Sequence, residues 1–114
     1  MRKITGSLDL SNSSITSLGD ITEVGGGLDL INTPITSFNN LKKVKDALYL
    51  ANTSITSFGS IEQLGWCDLR RTNITSFGKL KKIITGIYLN NTVKITKEYV
   101  MKNYPKLLSK FIWL

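Results

Sequence analysis

Apolar and polar positions recur along this chain with a long period. The segment LYLANTSITSF at 48–58 has close copies at 8–18 (LDLSNSSITSL), 28–38 (LDLINTPITSF) and 67–77 (CDLRRTNITSF), and a fifth, IYLNNTVKIT, begins at 87. Aligned on Leu10, Leu30, Leu50, Leu69 and Leu89, the steps are 20, 20, 19 and 20 residues. Two positions earlier stand Leu8, Leu28, Leu48, Cys67 and Ile87, and five later stand Ile15, Ile35, Ile55 and Ile74. Three further on come Leu18, Phe38, Phe58 and Phe77, followed by Ile21, Leu41, Ile61 and Leu80, then Val24, Val44, Leu64 and Ile83.

The first pair of columns is spaced by two, which predicts a short strand with both side chains on one face. The later columns are spaced by three, which predicts a tight 3-10 or irregular return. One such coil cannot bury its own apolar face, whereas stacked coils can, their strands forming a parallel row about 4.8 Å apart. The pattern therefore predicts an α/β solenoid over 1–95, with five short parallel strands. A polar column runs through it at Ser13, Thr33, Thr53, Thr72 and Thr92. At that point the chain leaves the strand, and an inward hydroxyl can bond backbone groups of its own coil and the next. Five-fold regularity is the mark of a structural ladder and not of a row of nucleophiles.

The period breaks at 96–114, TKEYVMKNYPKLLSKFIWL. Thr96 is placed as a helix N-cap and Pro105 as the opening of a second helix. Val100, Tyr104, Leu107, Leu108, Phe111 and Ile112 recur at helical spacing, which predicts a helical C-terminal cap; an amphipathic helix for a partner is the alternative. The apolar ending Phe111-Ile112-Trp113-Leu114 is expected to stay exposed in part. At the other end the first strand is expected to begin by residue 7 with its outer edge open. Arg2 and Lys3 either discourage pairing there or flank a homodimer seam.

Length and composition fit one globular domain of 114 residues, and no run of 18 apolar residues is present. The start, MRKITGSLDL, lacks the apolar stretch of a signal peptide, and the single cysteine allows no internal disulfide, so a cytoplasmic setting is expected, in a bacterium or in whatever infects it. The net charge of +7 is uneven: residues 1–40 carry −2 and residues 41–114 carry +9. Lys42, Lys43, Lys45, Lys79, Lys81 and Lys82 form a basic patch on the return segments. It is read as a solvated face, with a phosphate-tracking stripe as the alternative.

The string VGGGLDLINTPITSF at 24–38 resembles short bacterial and phage leucine-rich repeats of the type V-G-G-x-L-x-L-x-x-T-x-I-T-S-L-P, over residues 4–95. The chain departs from that type in having no proline after the Leu18 column and phenylalanine at three of its four positions, which implies a wide, rounded convex side. The resemblance implies that residues between and after the strand leucines face outward on a concave side. Tyr49, Trp66, Asp68, Arg70, Arg71, Tyr88 and Asn90 then share neighbouring strands. Tyr, Trp and Arg are the residue types enriched at binding hot spots, and the plain alternative is scattered surface residues. The Asn12, Asn32, Asn52, Asn91 column is read as a turn preference, interrupted by Arg71.

Catalytic chemistry is poorly represented. The chain has no histidine, which removes the usual nucleophile–base pairs and zinc sites, and no metal or cofactor is expected. Cys67 stands in a leucine column, so a buried, inert thiol is expected. Gly25-Gly26-Gly27 lacks the residues of a phosphate loop. Asp9 and Asp29 would be neighbours, but open to solvent they lack the burial that tunes acid–base pairs. The expectation is a non-enzymatic protein-binding scaffold. Its partner is expected to be a protein, such as a nuclease or ribonucleoprotein complex, and no membrane. The narrowest form, a phage-encoded inhibitor of a CRISPR-type defence complex acting by steric blockade, is what the resemblance implies. The alternatives are direct nucleic-acid binding through the basic half and a self-associating module, monomeric or paired through an exposed terminal edge.

Overall fold

The computed structural model describes residues 2–90 and 93–114. Its strands are β1 (Arg2–Ile4), β2 (Leu8–Asp9), β3 (Ile21–Val24), β4 (Leu28–Asp29), β5 (Lys43–Tyr49), β6 (Gln63–Asp68), β7 (Lys82–Leu89) and β8 (Phe111–Trp113). One sheet runs β1-β3-β5-β6-β7-β8, with β2 beside β4 and β4 beside β5, and every pairing is parallel. The register is one repeat per strand: Leu8, Leu28, Leu48, Cys67 and Ile87 are successive partners. The fold is thus α/β with a parallel sheet and little helix.

The apolar columns form one buried core. From the second repeat to the fourth every column member is buried, and Leu28, Leu48, Cys67 and Ile87 are fully so. In the first repeat Leu8, Leu10 and Ile15 are half-buried, because no strand lies on their outer side among the described residues. Phe38, Phe58 and Phe77 stack edge to face inside the core at 6.0 and 5.2 Å, and Tyr104 and Phe111 extend the row.

Two expectations need correction. First, the return is tight only at its start: Ile21, Leu41, Ile61 and Leu80 each donate their N–H to the carbonyl three residues back, but the chain then leads into strand, and in β5, β6 and β7 this strand runs on into the leucine strand. Fully buried Val44 and Leu64 pair in register, so backbone pairing decides over a spacing of three that a helical turn also fits. The first strand, β1, begins at Arg2, by residue 7 as expected, and pairs with β3. Second, the C-terminal cap is only partly helical. An α-helix, α1 (Lys97–Asn103), starts at Thr96, whose hydroxyl accepts the Tyr99 N–H at 3.1 Å, and Pro105–Lys110 is a 3-10 helix. Phe111–Trp113 is instead β8, pairing with Ile87, Tyr88 and Leu89. The open edge of β7 offers unpaired backbone groups, and an aromatic and β-branched run satisfies them better as strand than as helix.

The hydroxyl column faces inward, with Thr33 and Thr53 buried. Each hydroxyl donates to the carbonyl three residues back: Ser13 to Leu10, Thr33 to Leu30, Thr53 to Leu50 and Thr72 to Leu69. The bond is made within the repeat and not to the next, which narrows the expectation; Thr92 lies outside the described residues. A second corner, at Ser17, Ser37, Ser57 and Ser76, accepts the N–H two residues on, from Gly19, Asn39, Gly59 and Gly78. All four acceptors' partners have positive φ, and at Gly78 a Cβ would also stand 2.5 Å from the Gly59 carbonyl oxygen.

Candidate functional site

The repeat builds two polar ladders on the outward face, and the candidate site lies where both are broken. In the outward strand column the pairing order is Asp9, Asp29, Tyr49, Asp68, Tyr88 and Ile112. Each aspartate caps the turn that follows its strand. The carboxylates of Asp9, Asp29 and Asp68 accept the backbone N–H of Ser11, Ile31 and Arg70, each at 3.0 Å. The hydrogen bonds from Ser11 hold the Asp9 carboxyl below its ordinary value. These aspartates are therefore turn-forming groups and not an acid–base pair. Tyr49 and Tyr88 occupy positions where an aspartate would supply that cap.

The second ladder follows the strand. Asn12, Asn32 and Asn52 adopt φ of 57, 59 and 58°, the left-handed region that asparagine tolerates. Their side chains join, Asn32 Nδ2 to Asn12 Oδ1 at 2.7 Å and Asn52 Nδ2 to Asn32 Oδ1 at 2.8 Å. Arg71 takes the next place at φ 64° and ends the chain of amides. Arginine has no short polar group to offset that conformation, so its presence is a local cost.

The shortened fourth repeat sets the third irregularity. Between paired residues, β5 spends Val44 to Ala47 where β6 spends Leu64 to Trp66, and β7 likewise spends Ile83 to Gly86. Bulges on both neighbours thus flank β6 and re-aim its next side chain. Gly65 makes this possible, since a Cβ there would stand 2.6 Å from the Lys45 carbonyl oxygen. Trp66 is the first residue paired beyond the irregularity, between Ala47 and Gly86.

These irregularities converge. The Trp66 ring stands 5.6 Å from Tyr49 and 5.7 Å from Tyr88, at interplanar angles of 62 and 57°. Beside them, Ile31, Ala51, Arg70, Arg71 and Asn90 line an open groove of about 580 Å3. Arg70 donates through Nε and Nη2 to both oxygens of Asp68, the shortest contact being 2.6 Å. The Arg70 guanidinium holds the Asp68 carboxyl below the usual carboxylate range, against partial burial, and Asp68 in turn raises Arg70. Arg71 forms no ion pair among the described residues.

All seven concave candidates lie on this face or its rim. The sequence reading missed Ile112, which follows Tyr88 in the same outward column, because it was assigned to a helix. Ile31 and Ala51, each the residue after a strand leucine, also line the groove.

The six lysines are all exposed. Their rows are interleaved with other groups. Glu62 lies between Lys42 and Lys81 and pairs with Lys81 at 3.8 Å, while Gln63 separates Lys43 from Lys82. They are not on elements separate from the aromatics, because Lys43 and Tyr49 share β5 and Lys82 and Tyr88 share β7. Cys67 lies beneath the groove, fully buried, and burial pushes its thiol far up, so it is no nucleophile in the folded chain.

Comparison of the chain with protein-family models, with curated proteins and with solved structures finds no match. Among the described residues no helix is long and apolar enough to cross a membrane, and no cluster of three or more His, Cys, Asp or Glu residues is placed to hold a metal ion.

Proposed function

We propose that the chain is a leucine-rich-repeat solenoid that acts as a non-enzymatic, protein-binding scaffold through the groove lined by Tyr49, Trp66, Arg70 and Arg71, with Tyr88 packed beside Trp66. One observation carries this reading: three departures from the repeat's own structural rules meet at one place. Tyrosines replace turn-capping aspartates, Arg71 replaces a ladder asparagine in a left-handed conformation, and a deleted residue re-aims Trp66. Sites where local rules are broken together are where function is expected to override stability. Aromatic rings and an arginine on rigid strands are also the material of binding hot spots. The narrower reading, steric blockade of a bacterial defence complex such as a CRISPR nuclease, draws its support from the resemblance to phage repeats alone.

The test is capture from a bacterial lysate with immobilised protein, followed by a binding measurement on whatever partner is retained. Tyr49→Ala, Trp66→Ala and Arg71→Asn combined should weaken that binding at least tenfold while the far-ultraviolet spectrum stays that of the parent. Lys43→Gln with Lys82→Gln should leave it within about twofold, as expected of rim or remote charges. The reverse outcome would transfer the function to the lysine rows and favour the nucleic-acid reading.

A further inference from the structure

We infer that the open edge formed by β1 and β2 pairs with the same edge of a second copy, antiparallel about a two-fold axis at Gly6. This goes beyond the groove and does not rest on it. The first repeat is left short of a neighbour. Ile4, Leu8, Leu10 and Ile15 are half-buried, whereas their counterparts Val24, Leu28, Leu30 and Ile35 are at most 1% exposed. The Ile4 carbonyl and the Leu8 and Leu10 N–H groups bond Gly25, Gly27 and Asp29 of the next repeat. Alternation along a strand then turns the N–H and C=O of Lys3 and Asp9 toward the open side, where no strand lies among the described residues. Gly6 sits between them. Its backbone is outside the left-handed region, and a Cβ there would meet nothing within 4 Å, so nothing in its own chain requires a glycine. A glycine in such a place marks the close approach of another backbone.

The register follows from the residues of the edge. Antiparallel pairing centred on Gly6 sets Lys3 opposite Asp9 and Ile4 opposite Leu8, each twice by symmetry. Lys3 and Asp9 take the hydrogen-bonded positions and match in charge. Ile4 and Leu8 take the closer positions and bring their half-buried side chains together on the core face. A slip of one residue would set core side chains opposite exposed ones. The bend at Thr5-Gly6 that separates β1 from β2 falls at the axis in both copies. Charge selects the ends that meet. Residues 1–20 carry Arg2, Lys3, Asp9 and Asp20 and are neutral, whereas residues 21–114 hold all of the +7. The cap at 96–114 carries +3 and repels its own copy. The pairing is isologous and closes at two, with both outward faces on one side of a continuous sheet and both grooves open. Six strands side by side span about 24 Å, so the 34 Å dimension crosses them and the end face measures 23 × 18 Å. So small a contact predicts a dissociation constant in the micromolar range.

Sedimentation equilibrium of the intact protein, from about 1 to 200 μM, should fit a monomer–dimer equilibrium. Gly6→Cys should cross-link to a covalent dimer under mild oxidation, since residues facing each other at the axis stand about 4.5 Å apart at Cα, within disulfide reach. The native Cys67 is fully buried and does not compete. Ser109→Cys, exposed on the cap, is the control and should cross-link about tenfold more slowly or less. Lys3→Glu, checked by thermal melting, should weaken the dimer about tenfold by setting two like-charged pairs across the seam. A protein that stays monomeric at the highest concentration overturns the inference. So does open-ended growth, the mark of β1 and β2 meeting β8 of the next copy. Equal cross-linking of the two cysteine variants, or a Lys3→Glu dimer as tight as the parent, overturns it as well.

Discussion

Arg71 shows how a single residue can be read as a conflict between stability and use. Its backbone sits at φ 64°, where the equivalent residues are asparagines joined by side-chain bonds of 2.7 and 2.8 Å. Arg71→Asn should relieve the left-handed conformation and offer the amide row another member. Stability is expected to rise by about 1 kcal/mol. Denaturant melts check the gain, and the partner affinity should fall in the same variant. A stabilised variant with undiminished binding would make Arg71 an accident of the surface. Thr53 behaves in the opposite way. Its buried hydroxyl donates to the Leu50 carbonyl at 2.9 Å, so Thr53→Val removes that bond and leaves the carbonyl only the Thr53 N–H at 3.2 Å. The expected loss is about 1 kcal/mol with unchanged binding. Both residues could be picked out in the sequence as members of a column, Thr53 by obeying it and Arg71 by breaking it. The geometry that makes Arg71 costly could not, because a φ angle is set by the turn it closes.

At the scale of elements, the repeat period made the leucine strands and the core columns legible, since spacing by two leaves few other arrangements for half-buried chain. Spacing by three was ambiguous. The Ile21 to Val24 segment fits a helical turn as well as a strand, and only its pairing with β1 and β5 decides for strand. The terminal element shows the same limit. Phe111 belongs to a helical pattern by spacing, yet it pairs with Ile87 and its ring packs 5.1 Å from Phe77 at the end of the buried aromatic row. If β8 closes the core in this way, Phe111→Ala should cost about 3 kcal/mol, near the lower end for buried phenylalanines. Hydrogen exchange of the β7 amides should speed up first. A helix merely laid over the end of the stack would leave β7 protection unchanged.

Over the whole molecule, charge and shape are offset from each other. The body measures 34 × 23 × 18 Å and carries a net +7, the sum of −2 up to residue 40 and +9 after it. Exposed lysines interleaved with Glu62 and Gln63 suit diffuse attraction better than a defined anion site. Binding to a random 20-base-pair duplex should therefore be weak, and it should fall about tenfold from 50 to 200 mM salt, the loss expected from about two phosphate contacts. Groove binding should change much less over the same range, because its aromatic contacts release no counterions. Tight duplex binding that survives 200 mM salt would point to a nucleic-acid function instead.

The sequence by itself determined the repeat period, the identity of the core columns, the inward hydroxyls and the residues that depart from the repeat. It could do so because each of these is fixed by spacing within one repeat and its copy in the next. Only the tertiary structure decided that paired short strands fuse into β5, β6 and β7, that the chain's apolar end becomes β8, that Asp68 is held by Arg70, and that Trp66 stands between two tyrosines. Those outcomes depend on which backbone groups are left unpaired at an edge and on how a one-residue deletion is absorbed by the strands beside it. Both are properties of neighbours a full repeat or more away in the chain.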